Sequence, residues 1–185
     1  MVWHFRLGYL ILTLLAFRLV WGLVGGRWSR FANFVFSPAT VVRYLRGQGQ
    51  ALHDVGHSPV GALSVFAVLG ILTAQVATGL FSDDEIANTG PLIKFVSGAT
   101  SLLLTKWHKT YGQWIIITLV VLHVAAIAFY VLKKKRDLLR AMVSGDKQLP
   151  SSTPASTDSV GSRAGAVAVF ALCAAGVAWV VKLGG

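Results

Sequence analysis

The sequence predicts an all-α integral membrane protein, a helical bundle with four transmembrane helices. Hydrophobic residues make up 55% of the 185 residues, and charged residues make up only 13%. A soluble domain of this size could not hide that much apolar surface inside one core. The apolar residues also form four long stretches, each close to the roughly 20 residues that a spanning helix needs. Composition and clustering together therefore decide the fold class.

The four predicted spans follow one another with clear boundaries. Ser58 provides an N-cap for the second span, and Pro59 occupies its first helical position. A shorter apolar segment, 92–105, is too brief to cross and contains Lys94, so we expect it to be interfacial or re-entrant. The predicted spans cover residues 3–25, 59–81, 107–132 and 164–181.

Loop composition predicts the domain organisation and the orientation. Segments 26–57 and 133–147 are rich in Lys and Arg, whereas segment 82–106 carries Asp83, Asp84 and Glu85. By the positive-inside rule the first two segments are cytoplasmic and the third is external. The net charge of +10 is thus a topology signal and gives no reason to expect nucleic acid as a partner. The predicted parts are a membrane domain (1–147), a flexible linker rich in Ser, Thr and Pro (148–163) and a last helix (164–183).

This orientation has a consequence for the N-terminus. The first span begins outside directly after Met1, so the chain has no cytoplasmic segment before its first crossing. A preceding helix, supplied by a longer natural chain, would place the N-terminus inside and add a fifth crossing, and the sequence leaves open whether Met1 is the biological start.

Histidines in the apolar stretches are the candidate functional residues. His108 and His123 lie 15 residues apart on the third stretch. A regular α-helix separates them by about 22 Å and by only about 60° of rotation, so one helix presents both imidazoles on nearly the same side. His4, on the first span, lies at the same membrane depth as His108. Histidine in hydrocarbon is expensive and usually has a partner.

Two histidines at matching depth favour haem over zinc, because zinc needs about four close ligands and no carboxylate or Cys cluster accompanies His4 and His108. Gly8 and Gly112 each follow one of these histidines by four residues, on the same helix face, where a missing side chain leaves space for a porphyrin. Arg6, at the same depth, is a candidate partner for a haem propionate.

Other interpretations remain open for each of these residues. His4 and Arg6 also suit side chains that snorkel to water, and His108 suits an aromatic belt beside Trp107. For His123 the competing interpretation is a core histidine with a local hydrogen-bond partner. His53 and His57 have metal-like i, i+4 spacing, but Gly56 and Pro59 disfavour a continuous helix there.

Several motifs resemble the prokaryotic cytochrome b561 family of membrane b-type cytochromes, which includes the b-type subunits of nickel–iron hydrogenases. The resemblance spans about residues 3–147, and the motifs are specific only in combination. They are Trp3-His4-Phe5-Arg6-Leu7-Gly8-Tyr9, Phe17-Arg18-Leu19-Val20-Trp21-Gly22-Leu23-Val24-Gly25, Gly56-His57-Ser58-Pro59-Val60-Gly61-Ala62, Thr78-Gly79-Leu80-Phe81 with Asp83-Asp84, Gly90-Pro91-Leu92, and Leu122-His123-Val124.

The resemblance implies a four-helix bundle that holds two b haems through histidines of its first, second and fourth helices. This chain begins at the family's second helix, so His4 and His108 correspond to the outer ligands and His123 to an inner ligand whose partner helix is absent. The resemblance implies one haem b in this chain, and two if the missing helix is supplied. His57, at the inner end of the second span, is a candidate substitute for the histidine of that missing helix. Arg18, like Arg6, is a predicted cofactor-binding residue.

The implied function is electron transfer at or across the bacterial inner membrane. The resemblance implies that electrons pass between two kinds of partner. One is quinone or a membrane dehydrogenase, and the other is a periplasmic c-type cytochrome, a hydrogenase or another redox enzyme. The acidic patch of Asp83, Asp84 and Glu85 is a candidate docking surface, or simply a solvated loop. Two rival functions remain. One is a non-redox scaffold or transporter subunit, whose optical spectrum would lack the reduced bands of a haem. The other is a reductase with a substrate pocket beside a haem.

Overall fold

The computed structural model of the chain describes residues 1–50, 55–133, 135, 153 and 158–184. Every regular element within these residues is helical, and the only β-type pairing among them is an isolated bridge between Asp83 and Thr89. Four of the helices are long and apolar enough to cross a membrane. The predicted all-α fold with four spanning helices is therefore confirmed.

The described helices comprise four long spans and one short connecting helix. We call the end of the bundle that contains Met1, Leu80 and Gly98 the outer end, following the orientation that the loop charges predict, and the opposite end the inner end. The helices are α1 (Val2–Val24), α2 (Pro38–Leu45), α3 (Pro59–Leu80), α4 (Gly98–Leu132) and α5 (Val160–Lys182).

The spanning helices pack in the order α5, α1, α3, α4. Between α1 and α5, the ring of Phe17 meets the ring of Phe170 edge-on, with centroids 5.9 Å apart. At the outer end, Gly184 lies against Pro91, so the chain beyond α5 reaches the loop between α3 and α4. The inner part of α4 contains no buried residue, which leaves the bundle open on that side.

Burial is sparse throughout the described residues. The buried hydrophobic side chains are Leu15, Phe34, Val41, Ala62 and Val177. Lipid tails are as apolar as leucine, so helix association in a bilayer does not require an extensive buried apolar core. Most of the large apolar side chains accordingly face outward.

α4 begins earlier than the sequence predicts. The segment 92–105, expected to be interfacial or re-entrant, contains a 3₁₀ turn at Ile93–Phe95 and then the first turns of α4 from Gly98 onward. The helix has 35 residues, which is about 52 Å, so it is longer than a hydrocarbon core of about 30 Å. A hydropathy profile does not predict this outer part of α4, because it scores polar side chains as unfavourable even when hydrogen-bond partners elsewhere in the fold satisfy them.

Those partners lie at the end of α3 and in the loop that follows. Oγ of Ser101 donates to the carbonyl oxygen of Phe81 at 2.7 Å, and the backbone N–H of Asp83 donates to Oγ1 of Thr105 at 2.9 Å. Both α4 side chains are buried, at 2% and 7% exposure. The outer loop is thus fixed to α4 by polar contacts.

α5 also begins before its predicted boundary, at Val160 instead of 164. Oγ of Ser159 accepts from the backbone N–H of Ser162 at 3.1 Å, and Arg163 pairs with Asp158, so a capped first turn extends the helix into the polar sequence. The remainder of the predicted linker lies almost entirely outside the described residues.

Candidate functional site

The structure brings His4 and His108 together at the outer end. His4 lies in the first turn of α1, and His108 lies in a π-helical turn of α4, Trp107–Gly112. Their ring centroids are 5.8 Å apart, and the ring planes cross at 84°. A ligating imidazole nitrogen sits about 2 Å from its metal, so two imidazoles on opposite sides of one ion have centroids roughly 6 Å apart. The observed separation fits axial ligation of a shared metal.

The tautomer of His108 follows from its hydrogen bonds. Nδ1 lies 2.9 Å from the carbonyl oxygen of Gln75 and 3.4 Å from Oγ1 of Thr78. Because a carbonyl oxygen only accepts, Nδ1 carries the hydrogen, and Nε2 of the neutral ring keeps its lone pair. Metal-ligating histidines almost always donate their other ring N–H in this manner, often to a backbone carbonyl. His108 is therefore prepared to bind a metal through Nε2.

α3 supplies the surface against which the His108 ring rests. A Cβ at Gly79 would lie 2.8 Å from Cε1 and 3.2 Å from Nδ1 of that ring, so a larger residue would displace it. Nε2 of Gln75 donates to the carbonyl oxygen of His108 at 3.0 Å.

Gln75, Thr78 and Gly79 had no predicted role in the site. A signal was available for Gln75, because a polar amide within an apolar span indicates a specific partner. Thr78 and Gly79 belong to a quoted family motif, but their contact with His108 depends on how α3 and α4 pack.

The two predicted porphyrin-facing glycines differ in their surroundings. Nothing lies within 4 Å of the position that a Cβ on Gly8 would take, so this side of α1 is open. A Cβ on Gly112 would collide with Oε1 of Gln75 and lie 2.6 Å from the ring of Trp107. The space that Gly112 frees is thus used by Gln75, and contact of either glycine with a porphyrin remains a prediction.

The two predicted cofactor-binding arginines lie at opposite ends of α1. Arg6 is exposed, with its guanidinium carbon 5.3 Å from the centroid of the Trp3 ring. Arg18 is half-buried about 18 Å further along the axis. Its Nη1 donates to the carbonyl oxygen of Ser29 at 3.1 Å, and its guanidinium lies 4.7 Å from the centroid of Phe31. In this structure Arg18 holds the inner connecting segment, and a cofactor contact for either arginine stays a prediction.

His123 has a different environment from His108. It is exposed on the inner part of α4, and its neighbours Leu122 and Val124 are 61% and 58% exposed. The face of the helix that carries it is open, so no ligand pair like that of the outer end forms around it within the described residues.

His57 lies at the inner end beside the connecting segment. Its ring packs on Phe34 with centroids 4.4 Å apart, and burial together with the positive charge of Arg18 lowers the pKa of His57 below its ordinary value. His53, its predicted i, i+4 companion, lies outside the described residues. A cavity of about 270 Å³ opens beside His57, lined by Trp28, Asn33, Phe34, Phe36, Gln50, Gly56 and His57.

The acidic residues of the outer loop have structural duties. One carboxylate oxygen of Asp84 accepts the backbone N–H groups of Asn88, Ala87 and Ile86, and the other accepts the side-chain amide of Asn88. These bonds, those from Asn88 above all, hold the pKa of Asp84 well below its usual range. Oδ1 of Asp83 accepts from the backbone N–H of Glu85 at 2.8 Å. Asp83 and Asp84 in the acidic patch therefore stabilise the outer loop by accepting hydrogen bonds from its own backbone N–H groups.

The donor set at the outer end suits haem. The porphyrin brings its own equatorial nitrogens, so the protein needs to offer only two axial groups. His4 and His108 offer two imidazoles at the required separation. No group of three or more His, Cys, Asp or Glu side chains that could hold a metal ion occurs within the described part of the chain.

Comparison with known proteins leads to the same group of proteins. The family model described as prokaryotic cytochrome b561 matches residues 1–145. Two relatives, both named "Probable Ni/Fe-hydrogenase 1 B-type cytochrome subunit", come from Escherichia coli K12 and Escherichia coli O157:H7. Each is 24% identical over 161 residues, covering 77% of this chain and 67% of the relative. No solved structure matches the chain significantly. The chain belongs to the prokaryotic cytochrome b561 family, and it is a b-type cytochrome with membrane-spanning helices.

Proposed function

We propose that His4 and His108 are the two axial ligands of one haem b at the outer end of the bundle, and that the chain passes electrons through this site. The observation that carries the proposal is the pair of rings with centroids 5.8 Å apart, one of which has its Nδ1–H engaged by the Gln75 carbonyl. This arrangement leaves the lone pair of Nε2 available to a metal and fixes the ring that carries it, which supports the proposal.

Electron transfer without substrate chemistry follows from the ligand set. A bound haem supplies a one-electron carrier whose potential depends on axial ligands, hydrogen bonding and burial. His4 and His108 would occupy both axial positions, which leaves no coordination site for oxygen or a substrate. The role of the chain is then to hold the two imidazoles and to tune the site.

We propose that the partner at the outer end is a subunit of a hydrogenase or dehydrogenase, or a c-type cytochrome. The hydrogenase alternative is supported by the two relatives, which carry the name "Probable Ni/Fe-hydrogenase 1 B-type cytochrome subunit". The outer loop offers a contact surface beside the site. Glu85 is exposed and Ile86 is 90% exposed at a turn that Asp84 holds in place.

Quinone is the proposed partner at the inner end. The cavity beside His57 combines aromatic walls with the polar side chains of Asn33, Gln50 and His57. Such a mixture suits a planar ring that bears carbonyl groups, because ligand sites pair apolar walls with a few polar groups that fix orientation.

His123 is the proposed ligand of a second, inner haem. It lies on an exposed face of α4, so it needs a second imidazole from a helix outside the described residues. A preceding helix that carries histidine would provide both the ligand and a cover for this face. We place the protein in the bacterial inner membrane, with the outer end toward the periplasm.

An optical and stoichiometric experiment tests the outer site. The chain purified from haem-replete cells should show the sharp reduced bands of a bis-histidine b haem and about one haem per chain by pyridine extraction. His4→Ala and His108→Ala should lose that haem while still inserting into the membrane, because insertion depends on the apolar stretches. Thr73→Val, an exposed position on α3, is the matched control and should keep it. A colourless wild-type protein, or full haem content in either histidine variant, contradicts the ligand assignment.

A further inference from the structure

Gln75 and His108 are joined by two hydrogen bonds that run in opposite directions. Nδ1–H of the His108 ring donates to the backbone carbonyl of Gln75 at 2.9 Å. The side-chain Nε2 of Gln75 donates to the backbone carbonyl of His108 at 3.0 Å. One residue of α3 therefore holds both the ring and the backbone of the same residue of α4.

The orientation of the Gln75 amide is dictated by its surroundings. Its NH₂ group must face the His108 carbonyl, because two carbonyl oxygens would repel each other. Oε1 then points at Gly112, is buried and has no hydrogen-bond partner within the described residues. A Cβ on Gly112 would collide with this oxygen, so glycine at 112 is what admits the Gln75 side chain.

The backbone of His108, which accepts the hydrogen bond from the Gln75 amide, lies in a π-helical turn. π turns are rare, occur mostly as single turns inside α-helices and are frequent at functional sites. The turn Trp107–Gly112 contains both His108 and Gly112, so the amide of Gln75 spans the turn from its second residue to its last. The carbonyl oxygen of His108 has two lone pairs, which allows it to accept this bond from α3.

We propose that Gln75 is a positioning residue for His108. Its side chain holds the π turn in the register that keeps the His108 ring on the Gln75 carbonyl, and Gly112 provides the space for that side chain. This inference rests on the proposed haem ligation by His108. Gln75 and Gly112 then influence the haem potential indirectly, through the hydrogen bond that Nδ1–H of the His108 ring donates.

The electronic consequence follows from that bond. A hydrogen bond from Nδ1–H to a carbonyl raises the basicity of the ligating imidazole. A more basic ligand favours the oxidised metal, so weakening the bond should raise the midpoint potential. A residue that only stabilised the fold would change the melting temperature and leave the potential of the bound haem where it was.

Two single variants perturb the pair by independent means. Gln75→Leu keeps the side-chain size and removes the donor, whereas Gly112→Ala keeps both hydrogen-bonding residues and displaces the amide. Each should raise the midpoint potential, alter the low-spin electron paramagnetic resonance signal and reduce haem affinity by roughly ten- to a hundredfold, the range typical of groups that orient metal ligands. Thr73→Val and Gly70→Ala, both on α3 at positions away from the site, should change none of these readouts.

A double variant tests whether the two positions act as one unit. In the Gln75→Ala background Oε1 no longer obstructs a Cβ at residue 112 and only the ring of Trp107 stays close, so adding Gly112→Ala should shift the potential less than it does in the wild-type background. Additive shifts would show that Gly112 acts independently of Gln75 and would overturn the coupled mechanism.

The outcomes separate this inference from the proposed function. Absence of haem from the wild-type chain contradicts the proposed function itself. A wild-type haem that depends on His108, combined with an unchanged potential and resonance signal in Gln75→Leu and Gly112→Ala, refutes only the positioning role. Should Gln75→Leu fail to accumulate, Gly112→Ala decides the question alone.

Discussion

The outer and inner ends of α4 carry one histidine each, and the structure treats them differently. At the outer end, His108 lies in a π turn and its ring rests on Gly79. The centroid of that ring is 5.8 Å from the centroid of the His4 ring. At the inner end, His123 lies on a helical stretch without buried residues. The difference is that a neighbouring helix fixes the ring of His108, whereas the described residues provide no comparable contact for the ring of His123.

The neighbours explain this contrast. α3 contacts α4 along both its outer and inner parts, but the polar contacts that orient a ring come from Gln75 and Thr78, near the outer end of α3. α1 brings His4 to the same level. His123 would need an equivalent neighbour on its open face.

The largest expected effect comes from supplying that neighbour. Fusing or co-expressing an upstream helix that carries a histidine near its inner end should raise haem content from about one to about two per chain, because the second haem would gain both axial ligands. Pyridine extraction measures the ratio. His123→Ala should return the extended protein to one haem and leave the unextended chain unchanged. Two haems in the unextended chain would show that another residue, such as His57, already completes the inner site.

Gly79→Ala should damage the outer site although it replaces neither proposed ligand. The added methyl would lie 2.8 Å from Cε1 of His108, so the ring must shift, and overpacking of this kind costs typically about 1–3 kcal/mol. We expect roughly tenfold or more weaker haem binding, measured by haem titration of the apoprotein. Gly70→Ala on the same helix has open space around it and serves as the control. Equal haem affinities for the two variants would contradict the close contact.

Arg18→Gln should affect the inner end alone. The substitution removes the hydrogen bond to the Ser29 carbonyl and the stacking on Phe31, together worth about 2 kcal/mol for a charged donor that is partly buried. The thermal unfolding midpoint in detergent should fall, while the haem spectrum of the outer site stays the same. Arg6→Gln, which removes an exposed arginine whose described contact is with the Trp3 ring, is the matched comparison and should lower the unfolding midpoint less. A changed outer haem in Arg18→Gln would show that the two ends are coupled.

The smallest expected effect is a pH dependence at the inner end. Because the pKa of His57 is lowered in the folded chain, the folded state binds fewer protons than the unfolded state. The contribution of His57 to stability is therefore present above its ordinary pKa of 6.5 and is lost as the pH falls below that value. Thermal unfolding between about pH 7.5 and pH 5.5 should show a decline that is shallower in His57→Gln. An unchanged slope would place the titration elsewhere.

Much of the fold was predictable because it depends on composition. The number of spans, the fold class and the N-cap at Ser58 follow from hydropathy and local backbone chemistry, and the structure confirms each of them. The start of α4 at Gly98 was not predictable in this way. Ser101 and Thr105 look like interruptions in a hydropathy profile until the outer loop supplies their partners.

The candidate site was predictable only in part. The pairing of His4 with His108 followed from membrane depth, and the structure brings these two rings together. The calculated rotation between His108 and His123 assumed a uniform α-helix, whereas a π turn lies at His108 and changes the local repeat. Gly112 was assigned to a porphyrin face from its spacing, but its open side is taken by Gln75, a residue of another helix.

The sequence by itself determined how many helices cross, which side chains are available at each depth, and which family the chain resembles, because these properties depend on local composition and spacing. Tertiary structure alone decided which nitrogen of His108 is engaged in a hydrogen bond, how Gln75 and Gly79 contact that residue, and why His123 stays open. Those properties depend on contacts of a few ångströms between residues about thirty positions apart, and no local pattern in the chain encodes such distances.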